Sequence, residues 1–169
     1  MKNSIILIVV ILNLIVVGLS GCIINGEGKG VLLLQITDAP PELKITKALI
    51  NISNIEVHLI ATGWYTVIGE EQTFDLIQLK DVKRALGNKT LPVGRYTQIR
   101  FNIDDAFVTI DGIEYKLTIP SKTILLISPF SINKNETTTL TIDFDVKKSI
   151  FSTGSNKYMM KPTIKIIED

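Results

Sequence analysis

From Val31 to the C-terminus, apolar and polar residues alternate in short runs broken by turn residues, the period-two signature of β-strands with one buried face. Val31–Ile36 is nearly all apolar and is expected to be a strand covered on both faces. Thr37-Asp38-Ala39-Pro40-Pro41 ends it, because proline cannot donate to a ladder and forces its predecessor into extended geometry. Between Lys44 and Leu59 the apolar set changes parity, from Ile50 and Ile52 to Ile55, Val57 and Leu59, which predicts a β-bulge near Ser53-Asn54. Trp64–Ile68 and Phe74–Leu79 are short strands, and Asp81–Leu86 is expected to be one short helix, with Asp81 at its start and Gly87 at its end.

Leu91-Pro92-Val93-Gly94-Arg95-Tyr96 introduces a strand whose Thr97, Ile99, Phe101 and Ile103 point one way and Tyr96, Gln98, Arg100 and Asn102 the other. Asp104-Asp105 is expected to be a turn. Phe107–Ile110 and Ile113–Ile119 flank Asp111-Gly112, a strong two-residue hairpin signal. Thr123–Ile127, Thr137–Phe144 and Tyr158–Ile167 complete the set; in Thr137–Phe144, Leu140, Ile142 and Phe144 face in, while Thr139, Thr141, Asp143 and, just beyond it, Asp145 face out. About eight to ten strands with short turns predict an all-β domain, a Greek-key two-sheet sandwich of the prealbumin or immunoglobulin kind.

The first residues follow a different pattern. Lys2 precedes an apolar run, Ile5 to Val17, interrupted only by Asn13, and Leu19-Ser20-Gly21-Cys22 closes it. An apolar residue, two small residues and then a cysteine form a lipobox: the small residues fit a signal-peptidase cleft and the thiol takes the lipid. Residues 1–21 are therefore expected to be a signal peptide, 22–29 a lipidated Cys22 and flexible tether, and 30–169 the sandwich. The competing reading is an uncleaved transmembrane anchor, since no charged residue lies between Asn3 and Gly26. Both readings export the domain; the first anchors it to the cell membrane through Cys22, on the extracytoplasmic side.

Composition then narrows the classes. Net charge is +1, and removal of Lys2 with the leader leaves as many basic as acidic side chains, which lacks the footprint of a nucleic-acid binder. One cysteine excludes an internal disulfide or a thiolate metal cluster, and the single His58 excludes any site needing two imidazoles from one chain.

Thr37-Asp38-Ala39-Pro40, Ile55-Glu56-Val57-His58, Gly63-Trp64, Leu91-Pro92-Val93-Gly94-Arg95-Tyr96 and Leu140-Thr141-Ile142-Asp143-Phe144-Asp145, in this order, carry a resemblance. Over roughly residues 29–167 the chain resembles a prokaryotic family of secreted lipoproteins defined as a domain of unknown function, family 4382. Its most specific pieces are Thr-Asp-Ala-Pro and Leu-Pro-Val-Gly-Arg-Tyr; the second is also similar to the closing strand of transthyretin-like sandwiches. The resemblance implies that fold and brings no catalytic residues.

Several residues invite chemistry. Asp38, in a rigid loop, could join outward Asp143 and Asp145, about 6–7 Å apart on one strand face, to hold a hard cation such as Ca2+; the simpler expectation is an Asp capping its own turn. The same Asp143/Asp145 pair could serve a glycoside hydrolase. His58 is expected to be exposed or at a sheet edge. Trp64 and Tyr65 suggest a sugar-stacking platform or a core plug, and Ser121 and Ser131 show no adjacent base. Asn51, Asn88 and Asn135 head N-glycosylation sequons, the last two in expected turns and Asn51 on a polar strand face. The expected role is a non-catalytic binding or structural lipoprotein of the cell envelope, partnered by the membrane and by a surface glycan or protein, with no cofactor. The alternatives are an envelope carbohydrate-active hydrolase and a calcium-stabilised adhesive domain.

Overall fold

A computed structural model describes residues 28–39 and 45–169. The expected leader, Cys22 and most of the expected tether lie outside the described residues, as do Pro40 and Pro41. Among the described residues no helix is long and apolar enough to cross a membrane.

Among the described residues twelve strands form two packed sheets. The smaller has the order β12 (Ile164–Glu168), β9 (Thr137–Asp145), β1 (Lys29–Ala39), β5 (Arg84–Pro92). The larger is built on two long strands, β2 (Ile45–Leu59) and β6 (Gly94–Ile110), which pair with each other over most of their length. Each exchanges its outer partner midway. β2 pairs first with β4 (Gln72–Asp75) and then with β3 (Gly63–Ile68); β6 pairs first with β8 (Thr123–Ile132) and then with β7 (Ile113–Thr118). The hairpin of β10 (Ile150–Gly154) and β11 (Lys157–Met160) extends the sheet beyond β7.

The expected all-β sandwich is present. The alternation that writes it buries Leu32, Leu34 and Ile36 of β1 and Leu140, Ile142 and Phe144 of β9 against Ile50, Val57, Ile99 and Phe101 of the other sheet. Phe101 and Phe144 meet across the two layers with ring centroids 6.2 Å apart. Burying each such side chain fully contributes roughly 1.5–3 kcal/mol, which is why the parity of the pattern dictates register. The parity change in β2 is a register shift between Ser53 and Ile55, with Asn54 at φ 46°. Asp111 and Gly112, at φ 50° and 80°, close the β6–β7 hairpin as their sequence demands.

Local signals fail where pairing across the fold outweighs them. The helical turn is not at Asp81–Leu86: a 3-10 turn lies earlier, at Leu76–Leu79, capped by the Asp75 carboxylate on the Ile77 N–H, and Arg84 onward pairs with β1. A second short helix, α1 (Val146–Ser149), carries the chain from the small sheet to the large one. Asp104-Asp105 is not a turn. The β6 strand runs through it, with Asn51 opposite Asp105 and Ile52 opposite Ile103, so Asp104 is the extra residue of a bulge. Another bulge at Thr97 reverses parity and turns Tyr96 inward, where it is fully buried and stacks on Phe130 at 5.1 Å. β1 continues through Thr37-Asp38 and is only half-covered on its outer side. Tyr158–Ile167 is two strands, one in each sheet, separated by Lys161–Thr163. Thr141 points outward as expected yet is buried, its hydroxyl against Asp169 at 3.0 Å and Gln35 at 3.4 Å.

Candidate functional site

The sequence singles out three carboxylates, and the sheet register separates them. Asp38 pairs with Phe144, on the core side of the small sheet, whereas Asp143 sits beside Thr37 on the outer side with Asp145 two positions on. Asp38 is 3% exposed, and its Oδ1 accepts from the Val146 N–H at 3.1 Å. It therefore caps α1, far along the chain. Thr37 Oγ1 donates to the Leu79 carbonyl at 3.2 Å. The Thr-Asp pair thus ties β1 to both helical turns.

Asp145 is also occupied. Its Oδ1 accepts the Lys148 N–H at 3.0 Å and its Oδ2 the Lys148 Nζ at 2.7 Å, which together hold its carboxyl below the usual range. Asp143 is pushed the other way by burial, against the pull of Lys165 and with some repulsion from Asp145. An acid with a raised pKa beside one with a lowered pKa is a pattern glycosidases use, but here one partner is a helix cap and salt bridge. Among the described residues no three His, Cys, Asp or Glu side chains gather as a metal site, and the carboxylates expected to hold Ca2+ do not converge.

The aromatic pair separates in the same way. Trp64 and Tyr65 are neighbours on one strand and so face opposite sides. Tyr65 turns inward towards Tyr96, centroids 6.4 Å apart. Trp64 is neither a core plug nor half of a double platform: it lies half-buried on the outer face of the large sheet, opposite His58. There the Arg100 guanidinium covers its ring at 4.1 Å and bonds Glu56 Oε2 at 2.5 Å. That bond lowers the Glu56 pKa and raises that of Arg100. His58 stands edge-on to Trp64 at 5.0 Å, on a strand paired on both sides, so it is not at a sheet edge. Across β6 from this cluster, Arg100 pairs with Leu125 and Gln98 with Ile127, and these two apolar side chains are 53% and 79% exposed. The outer face thus shows an ordered aromatic–cation–carboxylate group next to uncovered aliphatic surface.

Nearby, the exchange of β8 for β7 along β6 opens a cleft of about 440 Å3, lined by Asp104, Asp105, Lys116, Thr118 and Lys122 among others. Asp105 bonds Lys116 at 2.6 Å, and that bond with the two lysine charges keeps its carboxyl low. Opposed charges in an open cleft suit a small polar ligand held by hydrogen bonds. The sequence signal was the adjacent acids in mid-strand, whose bulge aims both near the lysines.

Ser121 donates its hydroxyl to the Thr123 carbonyl at 2.8 Å, and Ser131 is an exposed strand residue. The sequons fare differently. Asn51 lies between β4 and β6 with its amide engaged by Glu71 and Thr73. Asn88 is exposed but belongs to strand β5 rather than a turn. Asn135 is exposed in the β8–β9 turn, at φ 60°.

The Leu-Pro-Val-Gly-Arg-Tyr segment is likewise architectural. The Tyr96 hydroxyl donates to the Pro92 carbonyl at 2.9 Å, a bond like the tyrosine corner of sandwich folds. Gly94 sits at φ 151° with Leu59 so close that a Cβ would lie 2.7 Å from its Cδ1.

Residues 29–162 match the model of the family described as Domain of unknown function (DUF4382), and the chain belongs to that family. Neither a curated protein nor a solved structure matches it.

Proposed function

We propose that this chain is an exported lipoprotein whose sandwich serves as a non-catalytic binding module at the cell envelope. The observation that carries the reading is the apolar leader ending in Leu19-Ser20-Gly21-Cys22, with the first strand starting only seven positions later, at Lys29. A lipid on Cys22 would hold the folded domain close to the membrane's outer surface. The lipoprotein character of the family, implied by the resemblance, agrees with it. A binding rather than catalytic role is supported by where the chemistry-bearing side chains go: Asp38 and Asp145 cap α1, and Asp143 is left without a second free carboxylate. The surface glycan or protein that the module would recognise meets the outer face of the large sheet, where Leu125, Ile127 and the Trp64–Arg100–Glu56 group are displayed.

Mass spectrometry of the N-terminus of the native protein tests the reading. The expected product begins at an acylated Cys22 and partitions with membranes, and Cys22→Ser releases it. A polypeptide that begins at Met1 with an unmodified Cys22 and washes off membranes freely would overturn it.

A further inference from the structure

Three turns crowd around the point where the described chain begins. The Gly28 carbonyl accepts the Val93 N–H at 3.0 Å, the Lys29 carbonyl accepts the Asn135 N–H at 3.0 Å, and the Ile60 N–H donates to the Arg95 carbonyl at 3.2 Å. The β2–β3, β5–β6 and β8–β9 turns therefore share one end of the sandwich with the entry of β1. Lys29, Arg95 and Lys134 are all exposed at this end. Among the described residues the single acid in the same segments is Glu136, whose carboxylate takes a bond from Asn133 Nδ2 at 2.9 Å; Glu27 precedes Gly28 in the tether. Ile60, bonded to the Arg95 backbone, is 60% exposed. A chain whose charges otherwise balance so closely has here an excess of cations beside an uncovered isoleucine.

The tether sets what this end meets. Gly28 lies six positions after Cys22. Six residues span at most about 20 Å when fully extended and on average about 13 Å as a flexible coil. At physiological salt the screening length is about 8 Å, so the lysines and the arginine enter the field of the headgroups when the tether contracts somewhat below its average span. The opposite end, at the Asp111-Gly112 hairpin, is the length of β6 away, about 55 Å at the usual rise per residue.

We propose that this end is a second membrane contact: Lys29, Arg95 and Lys134 dock on anionic lipid headgroups while Ile60 enters the interface, holding the sandwich upright with its hairpin end outward. The proposal rests on the lipidation of Cys22. It goes beyond it in assigning the domain's own residues a lipid partner.

The full chain is made in a host that processes lipoproteins, with Ile60→Cys or Ile113→Cys as the attachment point for a fluorophore. Lipidation of Cys22, the only native cysteine, leaves the new thiol unique. The N-terminal mass is measured first, and an unlipidated product removes both this proposal and the reading beneath it. Lipidated protein is then reconstituted into vesicles of phosphatidylcholine alone, or of phosphatidylcholine with phosphatidylglycerol, carrying a headgroup-bound quencher. The expected result is strong quenching at position 60 and little at 113, only with the anionic lipid. High salt should abolish it, as should Lys29→Gln, Arg95→Gln and Lys134→Gln combined, each lowering the docked population roughly fivefold. A lipidated protein whose two positions are quenched equally, or whose position 60 ignores lipid charge, overturns the docking and leaves lipidation standing. A glycan on Asn135 in native protein would overturn it too, because a sugar on that turn would hold the end off the bilayer.

Discussion

Gly30 offers the sharpest test of how the tether end is built. It is buried in β1, and a Cβ placed on it would lie 2.2 Å from the Asn133 carbonyl oxygen, 2.7 Å from Ile132 Cγ2 and 3.0 Å from the Glu136 carbonyl oxygen. Two of these atoms are backbone, so the β8–β9 turn itself must shift. That shift strains the bonds Asn135 N–H to Lys29 carbonyl, 3.0 Å, and Val31 N–H to Glu136 carbonyl, 2.8 Å. Overpacking costs about 1–3 kcal/mol, and each weakened hydrogen bond about 0.5–1.5 kcal/mol. The stiffer unfolded chain returns about 0.4–1 kcal/mol. Gly30→Ala should therefore lose roughly 3 kcal/mol, or about 10 °C in Tm for a domain of this size. Gly69→Ala is the control: its nearest neighbour would be 3.7 Å away, and it should be neutral or slightly stabilising. Urea unfolding followed by the emission of Trp64, the single tryptophan, reads both. A Gly30→Ala protein within about 1 kcal/mol of the parent, or a Gly69→Ala protein equally damaged, would refute the packing argument.

Tyr96→Phe should cost about 1–2 kcal/mol in the same assay, because it deletes the bond to Pro92 and leaves that carbonyl unmet. Burial, with a smaller contribution from Tyr65, pushes the Tyr96 pKa up to about 12. Its contribution to stability is therefore fully present below the unfolded value of about 10 and is lost as pH rises towards the folded one, so Tyr96→Phe should flatten the alkaline limb of the stability profile. Glu56 works in the opposite sense: its lowered pKa gives stability that is present above the ordinary glutamate value and lost as pH falls through the folded value. Arg100→Gln should shrink that acid limb and change Trp64 emission, since the guanidinium leaves the ring. Asp38→Ala should cost about 1–3 kcal/mol by stranding the Val146 N–H, Asp38→Asn less, and a chelator should leave the melting temperature of the parent unchanged in calorimetry.

How much of this was legible in the sequence depended on how local the deciding interaction is. The Asp111-Gly112 hairpin and the bulge at Ser53-Asn54 were readable, because a turn type or a parity change is written in adjacent residues. The inward set of β9 was readable for the same reason. The 81–86 segment carried a genuine capping signal, but pairing with β1 offered Arg84 onward a full ladder of hydrogen bonds that one or two helical turns could not match. Strict alternation puts Tyr96 on the outer face, but a single extra residue, Thr97, inverts everything before it. For the candidate site the limit was sharper. Asp38 and Asp145 are conspicuous in the sequence, yet the bonds they make to Val146 and Lys148 follow from α1, a helix of one turn that the pattern of apolar positions does not announce. Leu125 and Ile127 resemble core residues in a window of sequence; only the placement of β8 on the outer flank of β6 leaves them uncovered.

The position of β1 between β5 and β9 has a mechanical meaning. If Cys22 carries the proposed lipid, a load on the domain would pull this strand lengthwise against both neighbours at once. Ladders on either flank would then share the stress in shear instead of opening one rung at a time. A domain held by an interior strand of its sheet resists being unravelled from that end, and pulling single molecules from residue 28 should show one abrupt rupture rather than a gradual peel.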